Sequence, residues 1–245
     1  ETYYRFVPPS IIELLGKDNL GSLTLGSSVQ GEYAVLNARL SLQETLPIEQ
    51  NEALMNRFFN TVNRFTQQNG IISIVDDANL QSIIMICKDS VDTAITTALT
   101  ILAKIDADNQ KVLPAEQLKV DFVLDYTDVY FGICGDEQRY IPVILAPKFE
   151  KLLLNTYFLK SMGSRLLITE ASYNKISNMD AFSNRYVGRI KNPPTDVGMY
   201  DLYEDRNAEQ IRVMKTTQHA FDKAMELYEK GFYYEAKNLY AMVLR

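Results

Sequence analysis

Two short apolar runs joined by a turn, with an amphipathic segment on either side, most constrain how this chain can fold. The runs are GIISIV at 70–75 and LQSIIMIC at 80–87, and DDAN separates them. Because Asp and Asn favour turns and the runs are rich in isoleucine, they predict a β-hairpin. The flanking segments, 49–68 and 90–104, carry apolar residues at helical spacing. A hairpin set between helices predicts an α+β domain with a mainly antiparallel sheet.

The rest of the chain continues this alternation of strands and helices. Short apolar and β-branched runs predict strands, and residues spaced three and four apart predict helices. The further predicted elements are a short helix near 11–15, a strand at 31–41, a pair of strands at 117–126 and 128–134 that turn around Thr127, a helix at 143–160, a strand at 165–169, a strand pair at 185–190 and 197–204, and helix from 206 onward.

Composition and charge exclude several classes of protein. The chain has 245 residues, with 25 Lys and Arg against 31 Asp and Glu, and a net charge of −6. Since nucleic-acid binding depends on neutralising phosphates, this acidic chain predicts no nucleic-acid partner. Its two cysteines, Cys87 and Cys134, lie in apolar runs and predict buried thiols. Its single histidine, His219, is too little for a histidine metal cluster and predicts a surface or packing role.

Six segments, in order along residues 5–205, carry a resemblance to a known family. They are RFVPPSIIELLGK, LGSSVQGEYAVLNARL, MNRFFN with QQNGIISIV, DYTDVYFGICG, LAPKFEKL and RYVGRIKNPPTDVGMYDLYE. In this order they resemble the catalytic domain of class III adenylate and guanylate cyclases of the bacterial type. The resemblance implies a ferredoxin-like α+β fold with helices flanking the sheet. It also implies a dimer, with the active site at the subunit interface.

The resemblance further implies a reaction and the groups that it needs. The family joins the ribose 3′-hydroxyl of ATP or GTP to the α-phosphate and releases pyrophosphate. Charge builds on the phosphoryl oxygens, so the site uses two metal ions held by two carboxylates. A cation and an amide stabilise the transition state.

Arg39 stands where the resemblance expects the first metal carboxylate. The family's strand motif FADI reads NARL here, and the next residues, SLQE at 41–44, lack the glycine of the family's phosphate loop. A guanidinium cannot ligate Mg²⁺, which takes oxygen ligands. We interpret Arg39 as a pairing or surface residue, and phosphate binding by its guanidinium is the alternative.

The other catalytic positions are also altered. Asp76 and Asp77 lie one to three residues from the expected second carboxylate, so they are weak metal candidates, with plain turn chemistry as the alternative. The helix motif VNLASRLE reads VILAPKFE, which puts Ile144 at the amide position and Lys148 at the arginine position. Lysine keeps the charge but not the bidentate fork.

These replacements predict a catalytically degenerate cyclase-like domain that acts as a signalling, regulatory or dimerisation module. For such a pseudoenzyme we expect no cofactor. Two alternatives stay open. One is an active adenylate or guanylate cyclase whose Asp76 or Asp77 holds Mg²⁺ or Mn²⁺, and the other is a nucleotide-binding sensor without turnover.

The last 40 residues differ in character from the rest. They resemble one tetratricopeptide repeat, in which small and aromatic residues recur at fixed positions, here Ala224, Tyr228, Gly231, Ala236 and Tyr240. One repeat cannot bury its own apolar face. We therefore expect this tail to pack on the cyclase-like domain or to be followed by more repeats.

The predicted organisation is a lead-in at 1–30, a cyclase-like domain at 31–205 and a helical tail at 206–245. We expect a homodimer or a heterodimer with a cyclase domain. The segment 148–160 is expected near the contact, because Leu154, Phe158 and Leu159 give it a second apolar side.

We expect a cytoplasmic location. The chain has no signal-peptide pattern and no apolar run of about 20 residues. It starts at Glu1 and is expected to be a piece of a longer protein. A membrane-bound sensor elsewhere in that protein is left open.

Overall fold

A computed structural model describes residues 9–42, 46–75, 81–136, 139–155, 163–192 and 195–243. Within these ranges the strands are β1 Ser28–Leu40, β2 Ile72–Val75, β3 Ser82–Cys87, β4 Val120–Gly135, β5 Tyr140–Leu145, β6 Leu166–Thr169, β7 Asn184–Asn192 and β8 Thr195–Leu202. The helices are α1 Pro9–Leu14, α2 Ile48–Gln68, α3 Val91–Asn109, α4 Pro147–Asn155, α5 Glu170–Tyr173, α6 Ala208–Glu229 and α7 Tyr233–Val243.

One mainly antiparallel sheet contains all eight strands. Its order is β2-β3-β1-β4-β6-β8-β7, and β5 pairs with the far half of β4. Only the β4–β6 pairing is parallel among the described strands. The predicted α+β fold, with helices flanking a mainly antiparallel sheet, is confirmed.

Side chains of β1 alternate between two apolar clusters. Leu36, Ala38 and Leu40 join a cluster that includes residues of α2 and α3. Val35 joins the other cluster, with residues of α1 and α4. Because successive strand side chains point to opposite faces, the sheet has α2 and α3 on one face and α1 and α4 on the other.

The two long helices lie where the sequence predicts them. Helix α2 is followed by Gly70, whose φ of +64° is the left-handed conformation that a helix end often needs. Helix α3 begins after Ser90, whose hydroxyl accepts a hydrogen bond from the Thr93 amide at 3.0 Å. That bond satisfies one of the free amides of the first turn.

The predicted turn at Thr127 is wrong. Residues 120–135 form one continuous strand, paired with β1 from Gly132 opposite Ser28 to Val120 opposite Leu40. Thr127 is buried at 5% exposure and lies opposite Tyr33. A β-branched residue suits a strand interior, and the long ladder with β1 holds the chain extended through this point.

The predicted start of the fourth helix is also wrong. Residues 143–145 belong to β5, and α4 begins at Pro147. Proline fits the first helical position and disfavours helical geometry in the residue before it, so the helix cannot reach back through Ala146. The predicted residues 156–160 of this helix lie outside the described residues.

The helical tail consists of α6 and α7, and it packs on the domain. Ala224, Met225 and Ala236 are buried, and α6 lies against β7. Gly188 of β7 has a φ of +119° and approaches Met225 closely, since a side chain there would start 3.2 Å from the Met225 methyl carbon. The expectation that the tail packs on the cyclase-like domain is therefore met.

The predicted thiol environments are half right. Cys87 is buried, and burial raises the pKa of its thiol to about 12. Cys134, next to the end of β4, is exposed. His219 is exposed on α6, which agrees with its predicted surface role.

No helix in the described ranges is long and apolar enough to cross a membrane.

Candidate functional site

Arg39 lies near the end of β1 between residues of two neighbouring strands. It pairs with Ser82 of β3 on one side of β1 and with Asp121 of β4 on the other side. Its side chain is half-buried; burial lowers the pKa of the guanidinium, and the charge of Asp121 opposes that shift. The position that the resemblance assigns to a metal carboxylate thus holds a cation beside an anion.

The two weak metal candidates, Asp76 and Asp77, lie outside the described residues. The structure describes the strand ends that flank them. Gln81 accepts a hydrogen bond at its carbonyl from the Leu40 amide at 2.8 Å. The described chain therefore resumes at Gln81, beside the end of β1.

The described residues around Arg39 do not suit a divalent cation. They supply one carboxylate, Asp121, which already lies beside a guanidinium, and the hydroxyl of Ser82. In the part of the chain that the structure describes, no group of three His, Cys, Asp or Glu residues could hold a metal ion. A second positive charge at this place would be repelled by Arg39.

Lys148 and Ile144 lie at the opposite end of the sheet from Arg39. Lys148 is in the first turn of α4, and its Nζ is 3.2 Å from Asp128 Oδ2, with both side chains largely exposed. Ile144 lies on β5, opposite Phe131 of β4. The prediction that it lies on a helix is therefore wrong. The first turn of α4 reads PKFE and contains no amide side chain.

A single copy of the chain does not bring these two ends together. Arg39 is opposite Asp121, whereas Lys148 contacts Asp128, seven residues further along β4. At about 3.3 Å per strand residue, the two places are about 23 Å apart. They can join in one site only if a second chain supplies one of them.

A buried carboxylate that the sequence analysis did not identify lies between these ends. Asp125 of β4 is 8% exposed, and its Oδ1 accepts a hydrogen bond from Thr169 Oγ1 at 2.6 Å. Burial raises the pKa of Asp125, while the bond from Thr169 and the charge of Lys148 act in the opposite direction. The sequence does carry a signal for this buried carboxylate, because Asp125 is a single acidic residue in the apolar run VLDY.

A second buried polar cluster joins the sheet to α6. Arg185 of β7 donates to the Met214 carbonyl and, at 3.1 Å, to the Thr217 hydroxyl, and its guanidinium lies 4.3 Å from the centre of the Phe221 ring. Burial lowers the pKa of Arg185. Opposite it, Asp201 bonds to Ser164 and to Arg206. This cluster fixes the tail to the sheet.

The architecture is that of solved nucleotidyl cyclase structures. The chain superposes on a bacterial light-regulated adenylyl cyclase with a TM-score of 0.71 and 17% identity over 86% of its length, and it spans 63% of that protein. For the adenylyl cyclase CyaB from P. aeruginosa, the TM-score is 0.57 with 16% identity, covering 74% of this chain and 97% of that one.

A third similar structure is the non-canonical dimeric guanylyl cyclase domain of the RhoGC fusion protein from the aquatic fungus Blastocladiella emersonii. Its TM-score is 0.54 with 12% identity, covering 71% of this chain and 98% of that one. No protein-family model and no curated protein matches the chain in sequence. The chain therefore has the fold of class III nucleotidyl cyclase catalytic domains, a likeness of structure at low identity.

Proposed function

We propose that this chain is a catalytically degenerate nucleotidyl cyclase-like domain that acts as a signalling, regulatory or dimerisation module. The observation that carries this proposal is the Arg39–Asp121 pair on the fold of a cyclase. A metal-dependent phosphoryl reaction needs carboxylate oxygens at this place. A guanidinium supplies none, and its partner carboxylate is already engaged.

The α4 end supports the same conclusion. A transition-state amide acts only if it can reach the developing charge, and loss of one such donor costs about 10²–10³ in rate. The first turn of α4 offers Lys148 but no amide, and Lys148 is paired with Asp128. Both ends of the composite site are therefore altered.

We propose a dimer as the working form. The Arg39 and Lys148 places lie about 23 Å apart on one sheet, so a composite site needs two chains. In a homodimer, each such site would join two altered ends. In a heterodimer with an active cyclase domain, each site would still contain one altered end. Either dimer provides an association surface, but neither dimer contains an intact composite site.

The tail and the location complete the proposal. We propose that α6 and α7 form a single tetratricopeptide-like helix pair, which the domain stabilises through Arg185. We propose a cytoplasmic location, and we propose no nucleic-acid partner because the composition is acidic.

Nucleotide binding tests this function. Thermal unfolding is followed with ATP or GTP, each with Mn²⁺ or Mg²⁺, and with metal alone as the control. A ligand at 100 times its dissociation constant raises the free energy of unfolding by about 2.7 kcal/mol. The proposal expects no nucleotide-dependent stabilisation and no cyclic product. Stabilisation without product supports the sensor instead, and product supports an active cyclase.

A further inference from the structure

A cavity of about 130 Å³ lies between α6 and the sheet strands β6, β7 and β8. Its apolar wall consists of Leu167 and Val187 from the sheet and Met214 and Phe221 from α6. Because the sheet and the tail each supply part of this wall, a molecule inside the cavity would contact both. None of the lining residues is one of the altered catalytic positions, so the cavity is independent of the proposed function.

The wall of this cavity also carries two arginines and one aspartate. Asp201 accepts hydrogen bonds from the Ser164 hydroxyl and, at 2.9 Å, from Arg206 Nη2. The charge of Asp201 is therefore paired with Arg206, and Arg185 is the cation in excess.

Among the described residues, the Arg185 guanidinium bonds only to neutral groups. Its Nε and Nη2 donate to the side-chain oxygen of Gln218, the Met214 carbonyl and the Thr217 hydroxyl. The carboxylate of Asp222 acts on Arg185 through space, but it accepts its hydrogen bond from Gln218. A guanidinium on a residue that is only 6% exposed is costly without a bonded anion, because burial removes the water that would stabilise its charge.

One nitrogen of this guanidinium is left for a ligand. Arg185 Nη1 makes no hydrogen bond to a described residue. The buried side-chain atoms that lack a partner in the described structure include Arg206 Nε but not Arg185 Nη1, so Nη1 remains accessible. A free Nη1 on a residue that lines the cavity points to an acceptor with negative charge.

We propose that this cavity binds a short-chain organic carboxylate. Its oxygens accept from Arg185 Nη1, and its alkyl chain packs against the apolar wall. A cavity of about 150 Å³ holds benzene, so one of about 130 Å³ has room for about six heavy atoms, as in butyrate. Inorganic phosphate fits poorly, because one free nitrogen and an apolar wall would leave most of its oxygens unpaired.

Titration of the isotope-labelled protein with sodium butyrate at constant ionic strength, followed by amide NMR, tests this site. Butyramide is the matched uncharged probe, and inorganic phosphate is the anion without an alkyl chain. Saturable shifts are expected at the amides of Leu167, Val187, Met214 and Phe221, with butyrate binding at least about tenfold more tightly than butyramide. A smaller preference, shifts elsewhere, no saturation by about 20 mM, or equal binding of phosphate at these residues would overturn the proposal.

Hydrogen exchange in α6 gives a second readout of the same site. Because the ligand contacts both the sheet and α6, its binding should hold the tail in place. Butyrate at 100 times its dissociation constant is expected to lower the population of detached tail about 100-fold and to slow exchange of the α6 amides by about that factor. Unchanged exchange under saturating butyrate contradicts a ligand held between the sheet and the tail.

Two variants separate the charge from the space. Arg185→Gln removes the charge and is expected to weaken butyrate binding at least about tenfold, while butyramide binding stays the same. Val187→Phe fills space in the cavity, leaves the hydrogen-bonding groups of Arg185 in place, and should abolish binding of both probes. Lys191→Gln, at an exposed position of β7, is the control and should bind as the wild type does. Unchanged butyrate affinity in Val187→Phe contradicts the site, and the wild-type probe comparison decides the question if either variant fails to fold.

Discussion

Arg39 of β1 lies directly opposite Asp121 of β4 across the antiparallel ladder. This is the place where the class III cyclase resemblance expects a metal-binding carboxylate. Opposite charges on facing strand residues stabilise a sheet, and like charges there destabilise it. The charge reversal at residue 39 is thus accommodated by the fold.

Restoring the family's acid should weaken the fold. Arg39→Asp places two carboxylates opposite each other and is expected to lower the free energy of unfolding by about 1 kcal/mol in urea titration. Asp121→Arg in the same chain restores an opposite pair and should recover most of that loss in a double-mutant cycle. Additive effects of the two substitutions would show that the residues do not interact.

Asp125 should make stability depend on pH. Burial raises the pKa of its folded-state carboxyl, so the folded state holds the proton more tightly than the unfolded state does. The contribution of Asp125 to stability is complete below the unfolded value of about 3.9 and is lost as pH rises through the raised pKa. Asp125→Asn removes this loss and should gain stability relative to wild type as pH rises above about 4.

A matched variant isolates that effect. Asp128→Asn removes an exposed carboxylate from the same strand and is the control for the loss of one surface charge. Denaturant unfolding at several pH values measures both variants. A constant stability difference between Asp125→Asn and wild type would show that Asp125 titrates alike in both states.

Arg185 should hold the tail on the sheet. Arg185→Ala removes the buried hydrogen bonds to the Met214 carbonyl and the Thr217 hydroxyl, and is expected to cost about 2–4 kcal/mol and to speed hydrogen exchange in α6. Arg185→Lys should retain only part of the stability that Arg185→Ala loses, because lysine lacks the planar guanidinium fork. Arg212→Ala, in an exposed ion pair of α6, should cost less than about 0.5 kcal/mol. Equal losses in the alanine variants would refute the role of Arg185.

Self-association should involve α4. Its Leu154 is 76% exposed and lies in the segment 148–160 that the sequence places near the contact. Sedimentation at about 100 μM should show a dimer for the wild type and monomer for Leu154→Asp. Leu113→Asp, at an exposed leucine on the α2 face, is the control and should remain dimeric. A monomeric wild type would leave a heterologous partner as the remaining form of the proposal.

Local patterns predicted helices α2 and α3 and the strand pairs β2–β3 and β7–β8, because these depend on neighbouring residues. The stripe on α2 and the cap of α3 can be read from the chain alone. The continuity of β4 through Thr127 could not, since it depends on pairing with β1 about 90 residues away in sequence. The start of α4 was misplaced because the local motif suggested helix before Pro147.

The polar interior was harder to predict for the same reason. Asp125 contacts Thr169, and Arg185 contacts α6, only after the sheet has formed. The sequence could flag Asp125 as an acid in an apolar run, but not its partner. The charge reversal at Arg39 was visible only through the family motif, and its proximity to Asp121 only through the register.

The most direct test of the central claim is cyclic nucleotide formation by the purified chain with Mn²⁺ and either ATP or GTP. Arg39 removes a metal carboxylate and the first turn of α4 lacks an amide, so no product above the protein-free background is expected. Asp76→Ala and Asp77→Ala should behave as the wild type does. Measurable turnover that disappears in Asp77→Ala would contradict a degenerate site and establish an active cyclase with an altered metal centre.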